Sequence, residues 1–134
     1  MKLRLFCDGG SRGNPGPAAY GYVLYDDAGN ILEKCGNYLG VTTNNQAEYQ
    51  GLIDGLKEVI AKYPDSSVQI VMDSLLVVNQ IKGLFKVKSR ELIPRHQEAR
   101  GLLSQISSWS ISHTLRGGNI VADSLVNKAL DSQS

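Results

Sequence analysis

Two aspartates stand where an apolar run gives out. Asp8 follows KLRLFC and precedes the glycine- and proline-rich GGSRGNPGP, and Asp73 follows VQIVM and precedes SLLVVNQ. Two further acids lie just behind polar stretches suited to a helix start: Glu48 after TTNNQA, and Asp123 four residues beyond Asn119. Other acids, such as Asp26, Asp27, Asp65 and Asp131, occupy turn-like or terminal sequence, where hydration alone explains them. Carboxylates brought together repel and resist ionising jointly. A divalent cation relieves that cost, because hard cations take oxygen ligands, and four carboxylates suffice for two such ions. The same residues have a simpler use, since aspartate at a strand end or in a first helical turn caps N–H groups or meets the helix dipole. Spacing alone therefore names the candidates without gathering them.

Gathering them falls to the elements between. KLRLFCD (2–8) reads as a strand that ends on Asp8, AAYGYVLYD (18–26) as a second, and ILEKCGNYLG (31–40) as a third after the turn DAGN. Three strands joined by a loop and a tight turn predict an antiparallel meander. The period then changes: Tyr49, Leu52, Ile53, Leu56, Val59 and Ile60 mark one face of an amphipathic helix. Thr43 with Gln46 forms a capping box at its start, and Asn44 and Asn45 offer alternative caps. VQIVMD (68–73) reads as a fourth strand, SLLVVNQIKG (74–83) as a short helix, and Pro94 opens another helix through Ile106. WSISH (109–113) alternates as a fifth strand; LRGGN is a loop, Asn119 a cap, and IVADSLVNKAL (120–130) the closing helix. The order predicts an α/β fold, a mixed sheet with helices packed on it. If strands one and four are neighbours, Asp8 and Asp73 emerge at one edge of that sheet.

The bulk properties set limits. A chain of 134 residues fits one domain spanning 1–134 with one core. The net charge of +1 argues neither for nor against a polyanion partner. Six of the fourteen basic residues, however, fall between Lys82 and Arg100, where only Glu91 and Glu98 oppose them. That segment reads as a polyanion footprint or as a solvated helix face. Two cysteines, Cys7 and Cys35, have no metal-ligand spacing and are expected as buried free thiols, as in a reducing cytosol. No apolar run approaches membrane-spanning length and the N-terminus lacks a signal peptide, so a cytoplasmic protein with no membrane partner is expected. GGSRGNPG lacks the spacing of a dinucleotide cradle, and its prolines oppose the helix a cradle needs.

The segments CDGGSRGNPGPAAYG, TTNNQAEYQGLIDGL, MDSLLVVNQIKG and HTLRGGNIVADSLVNKA resemble, in order, the four catalytic segments of type 1 ribonuclease H, and the likeness runs from Lys2 to Leu130. It implies a five-stranded mixed sheet with helices on both faces. It implies a metal-dependent endonuclease that cuts the RNA strand of an RNA–DNA hybrid and leaves 5′-phosphate and 3′-hydroxyl ends. Asp8, Glu48, Asp73 and Asp123 match the family's metal-binding acids, holding two Mg²⁺ ions with Mn²⁺ as a substitute; Asp8 would bridge the pair, with Glu48 and Asp73 on one side and Asp123 on the other. His113 matches a histidine credited with proton movement and product release. Asn14, Asn44 and Asn45 match residues of the hybrid-binding groove, Thr43 part of a phosphate pocket, and Gln46 would touch a base or sugar edge. TTNNQ suits this use, because amide groups, like a 2′-hydroxyl, both donate and accept.

Three departures from the family pattern stand out. GLFKVKSRELIPRHQ (83–97) is too short to hold the long basic protrusion of the best-known bacterial members, which leaves Lys86, Lys88 and Arg90 as a partial substitute. Leu84 and Phe85 stand where relatives often carry tryptophan after Gly83. LRGG (115–118) replaces a proline- and glutamate-bearing loop, and its glycines are expected to loosen the chain beside His113. A monomer with no protein partner is expected. The rival readings are a module of the same fold that binds hybrid or double-stranded RNA with weak or no catalysis, and a DNA-acting relative. His96 reads as a surface helix residue, and Trp109 as core or sheet face.

Overall fold

The computed structural model describes residues 1–133. Its elements are β1 (Lys2–Ser11), β2 (Gly16–Tyr25), β3 (Ile31–Thr42), α1 (Asn44–Lys62), β4 (Ser67–Met72), α2 (Leu75–Ile81), α3 (Ile93–Leu103), β5 (Ser108–His113) and α4 (Ile120–Asp131), with a 3₁₀ turn at Arg116–Gly118. One five-stranded sheet runs β3-β2-β1-β4-β5. β1, β2 and β3 are antiparallel, and β4 and β5 run parallel to β1. Parallel strands need a crossover, and α1 supplies the one between the meander and β4.

Alternation along β1 divides the sheet's two faces. Leu3, Leu5 and Cys7 point into the main core with Leu52, Ile53 and Leu56 of α1, Val77, Val78 and Ile81 of α2, and Ala99 and Leu103 of α3. On the opposite face α4 packs over β1, β2 and β3, with Val126 and Leu130 on Ala19. The strand and helix order matches the sequence reading; most boundaries shift by a residue or two, and the ends of β1 and α3 shift by three for visible reasons. β1 runs on to Ser11 because Gly9, Gly10 and Ser11 still pair with β2 after β4 has ended at Met72. α3 stops at Leu103 because the N–H groups of Gln105 and Ile106 turn to carbonyls three residues back, at Leu102 and Leu103.

Candidate active site

The last rung of the β1–β4 ladder pairs Cys7 with Met72. Asp8 and Asp73 therefore stand side by side just past that rung, where β4 ends and β1 runs on paired with β2 alone. α1 brings the third acid. It lies so close to β1 that a Cβ on Gly9 would stand 2.2 Å from the Ala47 carbonyl carbon, and one on Gly51 would stand 2.7 Å from the Asp8 carbonyl oxygen. Only glycine permits that approach. At this contact the Gly9 N–H donates to Asp8 Oδ1 at 2.9 Å and to Glu48 Oε1 at 3.1 Å. Ligand oxygens of Asp8, Glu48 and Asp73 all lie within 4.8 Å of one another.

Asp123 is placed differently. It stands outside that tight group and faces Asp8 and Glu48 across a cavity of about 410 Å³, with Oδ2 accepting from Asn127 Nδ2 at 3.4 Å. Here too glycines set the approach: a Cβ on Gly21 would stand 2.7 Å from the Ala122 carbonyl oxygen, and one on Gly36 2.7 Å from that of Leu125. Asn119 caps α4 by position only. Its Nδ2 instead donates to the Cys7 carbonyl oxygen at 2.8 Å, tying the start of α4 to the end of β1.

Burial makes this acid cluster costly. Asp8 is 4% exposed and Glu48 7%. Burial, aided by the charge of Asp73, pushes the Asp8 carboxyl up to about 7 despite hydrogen bonds that oppose the shift. Burial, then the charge of Asp8, pushes Glu48 well above the ordinary carboxylate range. Glu48 Oε2 is fully enclosed and accepts no hydrogen bond. Among the described residues one cation pairs with any of the four acids: Arg116, whose Nε lies 3.9 Å from Asp73 Oδ2. An all-oxygen donor set with an enclosed, unpartnered oxygen fits a hard divalent cation. Arg116 was not singled out in the sequence, where LRGG reads only as a loop. One of its glycines also has a packing role. The segment closes into a 3₁₀ turn, with Gly118 N–H donating to the Leu115 carbonyl, and a Cβ on Gly118 would stand 2.2 Å from Thr114 Oγ1.

The polar candidates collect beside the acids. Asn14, Thr43, Asn45, Lys86 and Lys88 border one cavity of about 360 Å³, while Asn44 and Asn45 border the acid cavity. Thr43 caps α1, its Oγ1 accepting from the Gln46 N–H at 3.3 Å. Asn44 Oδ1 accepts from the Ser11 N–H at 2.7 Å and the Ser11 hydroxyl at 3.0 Å, and Asn14 Oδ1 accepts from the Asn44 N–H at 3.0 Å. The two asparagine oxygens thus tie the β1–β2 segment and the start of α1 to each other. Gln46 makes protein contacts beside this cavity. Its Nε2 donates to Glu91 Oε2, just before α3, and its Oε1 accepts from Arg95 Nη2 within α3, both at 3.3 Å. His113 Nε2 lies 3.2 Å from the Asp73 carbonyl oxygen. His96 is half-buried, its Nδ1 3.2 Å from the Tyr49 hydroxyl, which itself donates to Gln80 Oε1 at 2.6 Å. Trp109 is half-buried against the core, with Arg100 over its ring. Both cysteines are free thiols, Cys7 buried and Cys35 half-buried.

Comparison with known proteins agrees with this geometry. A family model described as "Reverse transcriptase-like" matches residues 6–129. The chain is 42% identical over 130 residues to "Ribonuclease HI" of Halobacterium salinarum, covering 97% of this chain and 65% of that protein. It is 42% identical over 132 residues to "Bifunctional protein Rv2228c" of Mycobacterium tuberculosis, covering 98% of this chain and 36% of that one. It thus spans less than two thirds of either relative. Among solved structures, LC11-RNase H1 in complex with RNA/DNA hybrid superposes with a TM-score of 0.93 at 38% identity, covering 98% of each chain. No helix among the described residues is long and apolar enough to cross a membrane.

Proposed function

Because this chain belongs to the type 1 ribonuclease H family, we propose that it is a divalent-metal-dependent endoribonuclease acting on the RNA strand of RNA–DNA hybrids as one domain, leaving 5′-phosphate and 3′-hydroxyl ends. The observation that carries this is the cluster of Asp8, Glu48 and Asp73 within 4.8 Å, with Glu48 Oε2 enclosed and unpartnered. Those three acids, with Asp123 from the far wall, would hold two Mg²⁺ ions, and Mn²⁺ would fit the same oxygens. Bound ions of this kind supply an activated water and a stabilised leaving oxygen.

The chain's own groups do the rest. With their oxygens engaged, the NH₂ groups of Asn14 and Asn44 would offer donors to acceptors on sugar and base edges. Thr43, its oxygen engaged in capping, retains a hydroxyl proton for a phosphate, and Lys86 and Lys88 add positive charge around the same cavity. A carbonyl oxygen only accepts, so the His113 contact to Asp73 requires the proton on Nε2. That leaves Nδ1 as the lone pair able to take a proton.

The test is end-labelled RNA–DNA hybrid, double-stranded RNA and duplex DNA, each with Mg²⁺, Mn²⁺ or EDTA. Cleavage confined to the RNA of the hybrid, and abolished by EDTA, is the expected result. Asp73→Asn should keep the fold and lose turnover; near-parental activity at saturating Mg²⁺ would refute the assignment.

A further inference from the structure

α4 rests on β1, β2 and β3 and leaves the β4–β5 half of that sheet face open, where Gln69, Ser108 and Ser110 are exposed. The ladder registers bring one set of side chains onto this half-face. Lys2 stands beside Ser67 and, across it, Ser108; Arg4 stands beside Gln69 and Ser110. Tyr25 opposes Arg4 from β2, and its ring meets that of Phe6 edge-on at 5.5 Å. Two cavities, of about 530 and 320 Å³, adjoin at Arg4, and the smaller reaches Gly117–Asn119, the segment just after Arg116. Neither Lys2 nor Arg4 has an ion-pair partner among the described residues, and Asp27 is the single acid bordering these cavities.

We propose that this open half-face is a second nucleic-acid contact, which takes an unpaired RNA segment continuous with the hybrid; this rests on the ribonuclease reading above. Its chemistry suits a single strand. Two unpaired cations meet phosphates, an aromatic pair offers a stacking surface sequence-independently, and serine hydroxyls with the Gln69 amide can donate to and accept from a 2′-hydroxyl. A protein partner is disfavoured, because lysine and serine are depleted at the cores of such interfaces. The position suits it as well. β1 rises about 3.3 Å per residue, so the path from Lys2 to Asp8 leads to the acid cluster along a single strand.

The test compares blunt hybrid with hybrids carrying an unpaired RNA or DNA tail at either end. Binding is read by fluorescence anisotropy in EDTA, and turnover in Mg²⁺. The RNA tail should tighten binding roughly fivefold or more, the equivalent of one stacked base. Lys2→Ala combined with Arg4→Ala should erase that gain, as should Ser110→Glu alone, while KM and kcat on blunt hybrid stay at parental values. No gain from the RNA tail, a gain that survives both variants, or an equal gain from a DNA tail would overturn the proposal. Failure to cleave blunt hybrid in Mg²⁺ would instead count against the ribonuclease reading, since the tail effect is read without turnover.

Discussion

Asp8 is the residue whose ionisation opposes the fold most legibly. Its carboxyl rises from an ordinary 3.8 to about 7, chiefly through burial. A raised carboxyl costs nothing while it is protonated in folded and unfolded chains alike, below about pH 4. The cost grows as pH climbs, because the unfolded chain releases its proton first, and it is complete above about pH 7. In EDTA the parent should therefore lose stability between those limits. Asp8→Asn should be the more stable protein at pH 8 by roughly 4 kcal/mol, from a rise of about three pH units at about 1.4 kcal/mol each, with the advantage vanishing near pH 4. Mg²⁺ should narrow the gap by stabilising only the parent. Urea titrations at both pH values decide it, and a parent more stable than the variant at pH 8 in EDTA would contradict the burial argument.

Between elements, close approach is set by glycine. Gly51→Ala should push α1 off β1, since the new methyl would meet the Asp8 carbonyl oxygen. A loss of about 1–3 kcal/mol is expected, with lower turnover because Glu48 moves with the helix. Gly101→Ala is the control. It lies exposed within α3 with nothing near its Cβ position, so it should stabilise by up to about 1 kcal/mol. Thermal denaturation of the two variants separates packing from propensity. This scale also shows what the sequence hides. Asp8 and Asp73 are legible because each ends an apolar strand run, and Glu48 because a capping residue announces its helix. Gly21 and Gly36 are not legible, because their role depends on Ala122 and Leu125 in the last helix. Asn119 reads as a cap from local rules, yet a distant carbonyl at Cys7 takes its amide. Gln46 reads as a substrate contact, and its pairing with Glu91 and Arg95 was not visible in the sequence because those partners lie more than forty residues away.

At the scale of the molecule, a net charge of +1 conceals an uneven surface. Lys86 and Lys88 lie beside Asn14 and Thr43, next to an anionic centre. Replacing both lysines with alanine should raise KM about tenfold, leave kcat unchanged, and flatten the slope of log affinity against log salt by up to about two. A slope equal to the parent's would show that neither lysine meets a phosphate. The meander and the mixed sheet were readable from the order of elements, whereas the neighbourhood of β1 and β4 stayed conditional and the open half of the sheet was hidden, because exposure of a strand face depends on which helix fails to cover it. One more result follows from the wiring of the sheet. Asp8 lies in the first strand and Asp123 in the last helix, and the Asn119 amide that joins those two elements is itself made late. A chain still emerging from the ribosome thus carries Asp8 early but gathers all four acids only once α4 is out, so the anionic centre forms after the sheet that frames it has been made.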